Sequence, residues 1–257
     1  MAVQTLMEHY ALPAQVYGAG LVFARVGAFT VVMPGVGEST VPPRIRLAFA
    51  LLLAMVVYPV VGSTLQPVPS TVDGLAAQVV IEILIGLAVG AILRLFMATL
   101  AVAGEVVSLQ TTLSFAQTTN PLQAQPTVTV GAFLNLLGVT LIFATNLHHL
   151  FLGAVVHSYT LFQAGKGAPV SDFGHLAVQM TGESFSLGIQ LAAPVIVFSL
   201  IFNVAAGFVG RAMPQFQVFF VATPLTVLLG LSVFALSLGV FGLVWIDRYR
   251  AFAERLN

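Results

Sequence analysis

The stretch EILIGLAVGAILR, Glu82 to Arg94, has a charged residue at each end of an otherwise apolar run. Glycine occupies positions 86 and 90, so Glu82, Gly86, Gly90 and Arg94 recur every four residues. On an α-helix, residues four apart lie only slightly displaced from one another around the axis, so these four residues share one broad face. The two charges lie about 18 Å apart along such an axis and cannot pair with each other. We predict that each has a partner on another helix or another chain.

Two interpretations of this face compete. An ionisable group in an apolar segment is costly and often belongs to a proton or ion path. Glycines on the same face let another backbone approach closely, which favours a helix contact held by buried polar pairs. We favour the second interpretation and extend it to Arg25, which lies in the middle of the apolar run LVFARVGAF. The residues predicted for inter-helix or inter-subunit packing are Arg25, Glu82, Gly86, Gly90 and Arg94.

The composition indicates an integral membrane protein. Hydrophobic residues make up 58% of the 257 residues and charged residues only 7%, which a water-soluble surface would not tolerate. Nine basic and nine acidic residues cancel, so the chain has no net charge with which to bind nucleic acid. The chain contains no cysteine, which excludes disulfides, thiolate nucleophiles and cysteine-held metal sites.

Apolar stretches predict an all-α membrane protein with about six helical segments. Each stretch is long enough to cross a bilayer, which takes roughly 20 residues, and the stretches between them are rich in Gly, Pro, Ser, Thr and Asn. The segments lie near residues 14–34, 45–62, 74–103, 128–156, 176–209 and 218–246. The first has no Lys or Arg before Arg25, so we do not expect a cleaved signal peptide. Arginines at 248, 250 and 255 weakly favour a cytoplasmic C-terminal end.

The sequence does not favour an enzyme, a cofactor site or a metal site. Three histidines, His148, His149 and His157, invite a zinc interpretation. The first two should point to different sides of a helix, His157 is half a turn out of phase with His148, and no carboxylate is near. HExxH, GxSxG, Walker and GxGxxG arrangements do not occur in a suitable context. We therefore expect no catalytic, cofactor-binding or metal-binding residues.

The stretch RAMPQFQVFFVATP, residues 211–224, predicts the tip of a helical hairpin. A glycine and a cation at the end of a helix favour termination there, and Pro214 keeps Met213 out of helical geometry. Side-chain amides in a lipid-facing turn would have no hydrogen-bond partners, so the tip should face neighbouring subunits or water. A plain solvent-exposed turn is the alternative. The tip residues are Arg211, Pro214, Gln215 and Gln217.

Several motifs in one order resemble the FliR family of flagellar type III export-gate proteins. GEVVSLQTTLSFAQTTNP, residues 104–121, is similar to the family's Leu-Ser-Phe-Ala region before a proline. FARVGAFTVVMPGVGESTVPPRIRLAFALLL, residues 23–53, is similar to its arginine-bearing first helix, Pro-Gly turn and Val-Pro-x-Arg-x-Arg motif. EILIGLAVG, NLHHL and LAAPVIVFSLIFNVAAGFVGRAMPQFQVFFVATP follow with similar spacing. The resemblance covers nearly the whole chain.

This resemblance implies a structural subunit of a protein-export gate. With FliP- and FliQ-like subunits it would form a closed channel for unfolded flagellar proteins, in contact with FlhA- and FlhB-like components, in the bacterial inner membrane at the flagellar basal body. Its helices would be bent hairpins, partly raised above the membrane plane. Residues 1–162 would be a FliP-like part, and residues 172–257 a FliQ-like hairpin.

The resemblance also implies a pore plug in the loop after the third apolar segment. Apolar side chains there would exclude water and ions, and polar neighbours would satisfy backbone groups. The plug residues would be Leu109, Gln110, Leu113, Ser114, Phe115, Ala116 and Gln117. Two alternatives stay open: a homologous subunit of a virulence-type III secretion apparatus, which has the same architecture, and a secondary transporter, for which the chain lacks the expected internal symmetry.

Overall fold

The computed structural model describes residues 12–65, 68–114, 129–163, 170–215 and 217–256, and these residues are helical apart from short turns. The seven helices of these ranges are α1 (Leu12–Val32), α2 (Pro43–Val61), α3 (Val72–Gln110), α4 (Thr129–Ala144), α5 (Leu147–Leu161), α6 (Val170–Ala212) and α7 (Val218–Glu254). A short 3-10 turn, Gly62–Thr64, follows α2. The prediction of an all-α membrane protein is confirmed.

Five of these helices, α1, α2, α3, α6 and α7, are long and apolar enough to cross a membrane. The broken pair α4 and α5 makes a sixth candidate if it is counted as one span. The helices α3, α6 and α7 contain 39, 43 and 37 residues, or about 55–65 Å at helical rise. Since the hydrocarbon core is about 30 Å thick, these three helices are longer than one perpendicular span needs.

Turn-forming residues set several of the helix boundaries. Pro42 and Pro43 begin α2, where a missing N–H is tolerated. Gly35, with φ of 89°, lies in the turn between α1 and α2, a conformation that suits glycine. The predicted segment 128–156 is divided at Thr145 and Asn146, and Asn146 adopts a left-handed φ of 59°. A single uninterrupted helix was therefore the wrong expectation for that segment.

The helices pack into two compact units. The first consists of the described residues of Met1–Arg94, Asn146–Val178 and Phe252–Asn257, and the second of those of Leu95–Thr145 and Gln179–Ala251. The core of the first unit includes Leu21, Phe29, Ile85 and Phe151.

An aromatic cluster lies in the core of the second unit. The rings of Phe96 and Tyr249 are stacked with centroids 4.7 Å apart, and the ring of Trp245 lies 5.1 Å from that of Tyr249. Leu100 and Leu134 are fully buried in the same unit. Large aromatic side chains of this kind contribute much of the apolar area that a core buries.

Candidate functional site

A buried ion pair joins α1 to α3 in the first unit. The side chains of Arg25 and Glu82 have no exposed surface. Arg25 Nε donates a hydrogen bond to Glu82 Oε2 at 2.5 Å, and Arg25 Nη2 donates to Glu82 Oε1 at 3.1 Å. This two-point geometry uses the planar guanidinium and both carboxylate oxygens. The contact fixes the position of α1 along α3.

The remaining donors of Arg25 reach the C-terminal part of α5. Nη1 donates to Ser158 Oγ at 3.2 Å, and Nη2 also donates to the backbone carbonyl of Phe162 at 2.9 Å. The guanidinium carbon lies 3.9 Å from the centroid of the Tyr159 ring, within the range of a cation–π interaction. One arginine thus holds three helices together, and its charge is matched inside the chain.

The two glycines between Glu82 and Arg94 make a close contact with α1. A Cβ added at Gly86 would overlap the carbonyl oxygen of Arg25. A Cβ added at Gly90 would lie 3.0 Å from the carbonyl oxygen of Phe29 and 3.2 Å from Val32 Cβ. Because the obstacle at Gly86 is backbone, side-chain rotation cannot make room for it. The absence of a side chain permits this helix crossing.

Arg94, the last member of the four-residue pattern, has different surroundings. Its side chain is 45% exposed, and Nη2 lies 3.6 Å from Oε2 of Glu38, whose side chain is 33% exposed. Glu38 belongs to the turn that follows α1. Pairs of this kind contribute about 0–1 kcal/mol, so Arg94 adds little to the packing of the helices.

The second unit contains close glycine contacts that the sequence analysis missed. A Cβ at Gly104 on α3 would overlap the Cα of Gly131 on α4, and a Cβ at Gly188 on α6 would lie 2.8 Å from Val102 Cβ. Ser184 Oγ, also on α6, donates to the carbonyl of Leu95 at 3.0 Å. Gly104 lies fourteen residues, or about four helical turns, after Gly90. That spacing was a usable signal for Gly104.

The predicted plug segment is described only in part. The helix α3 continues to Gln110, and Leu109 is 55% exposed. Thr112 adopts a left-handed φ of 59°, which ends the helix, and Leu113 and Ser114 are half-buried. The positions of Phe115, Ala116 and Gln117 lie outside the described residues. The plug assignment stays a prediction.

The predicted hairpin tip lies between α6 and α7. Arg211 is in the last turn of α6, Pro214 and Gln215 form a turn, and Gln217 directly precedes α7. These four residues are exposed in the chain, whereas Phe216 lies outside the described residues. Their exposure leaves the side-chain amides accessible to water or to another subunit, and their role at a subunit contact stays a prediction.

The histidines on α5 are arranged differently from the expectation. The ring centroids of His148 and His149 are 4.3 Å apart, so the expectation that the rings point to different sides is wrong. Both residues lie in the first turn of α5, directly after Asn146. His157 Nδ1 is 3.4 Å from Thr160 Oγ1 one turn later.

Comparison with known proteins identifies the family. A family model described as bacterial export proteins, family 1, matches residues 16–252. The flagellar biosynthetic protein FliR of Caulobacter vibrioides is 57% identical over 244 residues, which cover 95% of this chain and 97% of that protein. FliR of Aquifex aeolicus is 32% identical over 238 residues, 90% of this chain and 89% of that protein. FliR of Escherichia coli is 30% identical over 213 residues, 82% of this chain and 80% of that protein. The chain therefore belongs to family 1 of the bacterial export proteins, the family of the flagellar biosynthetic protein FliR.

Proposed function

We propose that this chain is a structural subunit of the flagellar type III protein-export gate. With FliP- and FliQ-like subunits it forms the closed channel through which unfolded flagellar proteins leave the cell, and FlhA- and FlhB-like components contact it. The observation that carries the proposal is the 57% identity to a flagellar biosynthetic protein over 95% of the chain. The role is that of a channel part and not of an enzyme.

The character of the helices supports this role. The five apolar helices long enough to span a membrane suit a subunit of the bacterial inner membrane. Large apolar side chains on α6 and α7 are exposed in the isolated chain, as expected where lipid or other subunits cover them. Examples are Phe185, Leu200, Ile201, Phe208, Phe220 and Leu236.

The division of labour within the chain forms part of the proposal. Residues 1–162 act as the FliP-like part and residues 172–257 as the FliQ-like hairpin. The segment Leu109 to Gln117 fills the resting pore, and the tip residues Arg211, Pro214, Gln215 and Gln217 contact neighbouring subunits. The ion pair and the glycine contacts make each subunit rigid enough to keep a pore closed.

Export by cells that lack this chain tests the proposal. The gene is deleted without altering its neighbours, and hook and filament proteins are measured in the culture medium and in the cells. We expect these proteins to be absent from the medium and restored when the gene is supplied in trans. A protein secreted by an unrelated route serves as the control. Normal export of flagellar proteins by the deletion strain would contradict the proposal.

A further inference from the structure

An open groove of about 520 Å³ lies among α1, α2 and α3 in the first unit. Its volume falls in the range of roughly 300–1,000 Å³ that is typical of small-molecule sites. Most of its lining is apolar or small, with side chains from all three helices. Lining residues include Phe23, Gly27, Val31, Leu47, Ala50 and Ile83.

Arg46 is the charged residue among those that line the groove. Its Nε donates to the carbonyl of Val41 at 3.1 Å, which holds the plane of the guanidinium. Among the described residues, the two terminal nitrogens of Arg46 have no hydrogen-bond partner. The groove therefore combines apolar walls with a fixed cation that has two donor groups to offer.

Positive charge is in excess beside the groove. Arg44 lies two residues before Arg46 in the first turn of α2, is exposed, forms no ion pair with the described residues, and does not itself line the groove. Glu38, in the turn before α2, is already paired with Arg94 at 3.6 Å. Arg44 and Arg46 therefore have no carboxylate partner among the described residues. An anion in the groove would meet the free terminal nitrogens of Arg46.

We infer that this groove binds an anionic phospholipid, with one acyl chain along the apolar walls and the phosphate on Arg46, while Arg44 adds a second exposed cation in the same turn of α2. A guanidinium binds phosphate oxygens through two parallel hydrogen bonds, and basic pockets between membrane helices are typical sites for anionic headgroups. The outer side of α2 continues the apolar surface, because Leu52, Met55 and Val56 are 65%, 72% and 70% exposed. Such a surface next to the groove suits contact with lipid.

We infer a lipid in the groove, and not a helix of another subunit, because of the positive charge of Arg46. A helix could fill the apolar walls, but Arg46, which has no carboxylate partner among the described residues, would then be buried under it, at a cost of several kcal/mol unless that helix supplied an acid. A phospholipid supplies the apolar chain and the anion in one molecule. The inference does not depend on the export role.

Lipid retention by the purified protein tests the inference. The full chain is extracted in mild detergent in whatever assembly it forms, stripped of lipid, and incubated with phosphatidylglycerol or with phosphatidylcholine. Bound lipid is counted by native mass spectrometry. We expect phosphatidylglycerol to be retained and phosphatidylcholine to be lost. In the double variant R44Q/R46Q, phosphatidylglycerol should bind about 25-fold more weakly, since each cation near an anionic lipid contributes roughly a fivefold factor.

A second variant and two controls complete the test. A Cβ at Gly27 would have only ordinary contacts with the Phe23 ring, at 3.8 Å, so Gly27→Leu fills the groove while both arginines remain. It should also lose phosphatidylglycerol, and it decides the test if R44Q/R46Q does not fold. R248Q/R250Q removes two exposed charges from α7 and should bind as the original does. Inorganic phosphate alone should not compete at concentrations similar to those of the lipid.

Two results would overturn the inference directly, and a third would contradict its apolar part. One is equal retention of phosphatidylglycerol by the original, R44Q/R46Q and Gly27→Leu proteins. The other is a helix of a second protein seated in the groove when the assembly is imaged. Competition by inorganic phosphate as strong as that by lipid would also contradict it, because the apolar groove would then contribute nothing to binding.

Discussion

Arg25 Nε lies 2.5 Å from Glu82 Oε2 across a sequence separation of 57 residues, and neither side chain has exposed surface. From the sequence, we predicted that Glu82 has a partner on another helix or another chain. In the structure, Arg25 on α1 is that partner, so both buried charges are paired within the chain. A requirement for other subunits must therefore come from the exposed apolar surface of the helices, and not from unpaired charge.

The ion pair should be sensitive to the loss of either member. Removing one partner of a buried pair typically costs about 3–5 kcal/mol, since the other charge stays buried without compensation. We expect Arg25→Met and Glu82→Leu each to lower the thermal stability of the detergent-solubilised protein and its amount in membranes. The double variant should recover part of the loss. Recovery should be incomplete, because the carbonyl of Phe162 also loses a donor.

The exposed pair provides a matched control for these variants. Glu38→Gln removes the carboxylate partner of Arg94 and should change stability by about 1 kcal/mol or less. Stability is measured by thermal unfolding in the same detergent. If Glu82→Leu were no more harmful than Glu38→Gln, the ion pair would not be important for holding the three helices together.

The glycine contact between α1 and α3 should tolerate no side chain at Gly86. Gly86→Ala forces a methyl group into the carbonyl of Arg25, and overpacking of this kind typically costs about 1–3 kcal/mol or more. Gly90→Ala should be milder, since its nearest atoms are 3.0 and 3.2 Å away. The larger variants Gly86→Leu and Gly90→Leu should both block assembly and motility.

Gly20 is the control for the glycine variants, because a Cβ there would meet nothing within 4 Å. Gly20→Ala should be neutral or slightly stabilising, as alanine is favoured over glycine within helices by roughly 0.5–1 kcal/mol. Swimming in soft agar and the membrane content of the protein give the readout. Normal swimming by the Gly86→Leu and Gly90→Leu variants would show that the packing role of this face is wrong.

A similar contact in the second unit gives an independent prediction. Gly104→Ala would bring its methyl group against the backbone of Gly131, so α3 and α4 would have to move apart. We expect lower stability and faster proteolysis of the solubilised protein than for Gly239→Ala, since a Cβ at Gly239 would meet nothing within 4 Å. Equal rates of proteolysis for the two variants would mean that the α3–α4 contact is not rigid.

Part of this fold is predictable from hydropathy and part is not. Apolar length locates the helices well, because burial of the backbone in lipid requires long apolar runs. It does not detect the division at Asn146, since a left-handed residue changes the backbone direction without changing the hydropathy. It also places the end of the third segment near 103, although the helix continues to Gln110, because polar residues in the last turns look like a loop.

The candidate site around Glu82 is likewise predictable from the sequence only in part. The four-residue spacing predicts a common face for Glu82, Gly86 and Gly90 from helix geometry alone, and in the structure all three lie against α1. The spacing cannot identify Arg25 as the partner of Glu82, or Ser158 as a further acceptor, because these contacts depend on tertiary packing. Arg94 fits the pattern but lies beyond the buried contact. A four-residue spacing identifies a face of a helix. It does not show how much of that face packs against another helix.

The proposed plug predicts a leak when it is removed. A passage for unfolded protein would also pass ions, so apolar side chains must fill it at rest. We expect replacement of Leu113 and Phe115 by glycine to leave the assembly intact and to raise its conductance to small ions in liposomes. The Gly20→Ala protein, prepared in parallel, should remain tight. A fully assembled variant that is as impermeable as the original would place the seal in other subunits.

The composition of the assembly in which this chain resides distinguishes an export-gate subunit from any other membrane protein. The chain is tagged at its C-terminus, produced from its own locus, extracted in mild detergent and purified, and the complex is analysed by native mass spectrometry and electron microscopy. We expect one closed complex that contains this chain together with FliP- and FliQ-like subunits. A stable, protease-resistant monomer, or a complex without those subunits, would contradict it.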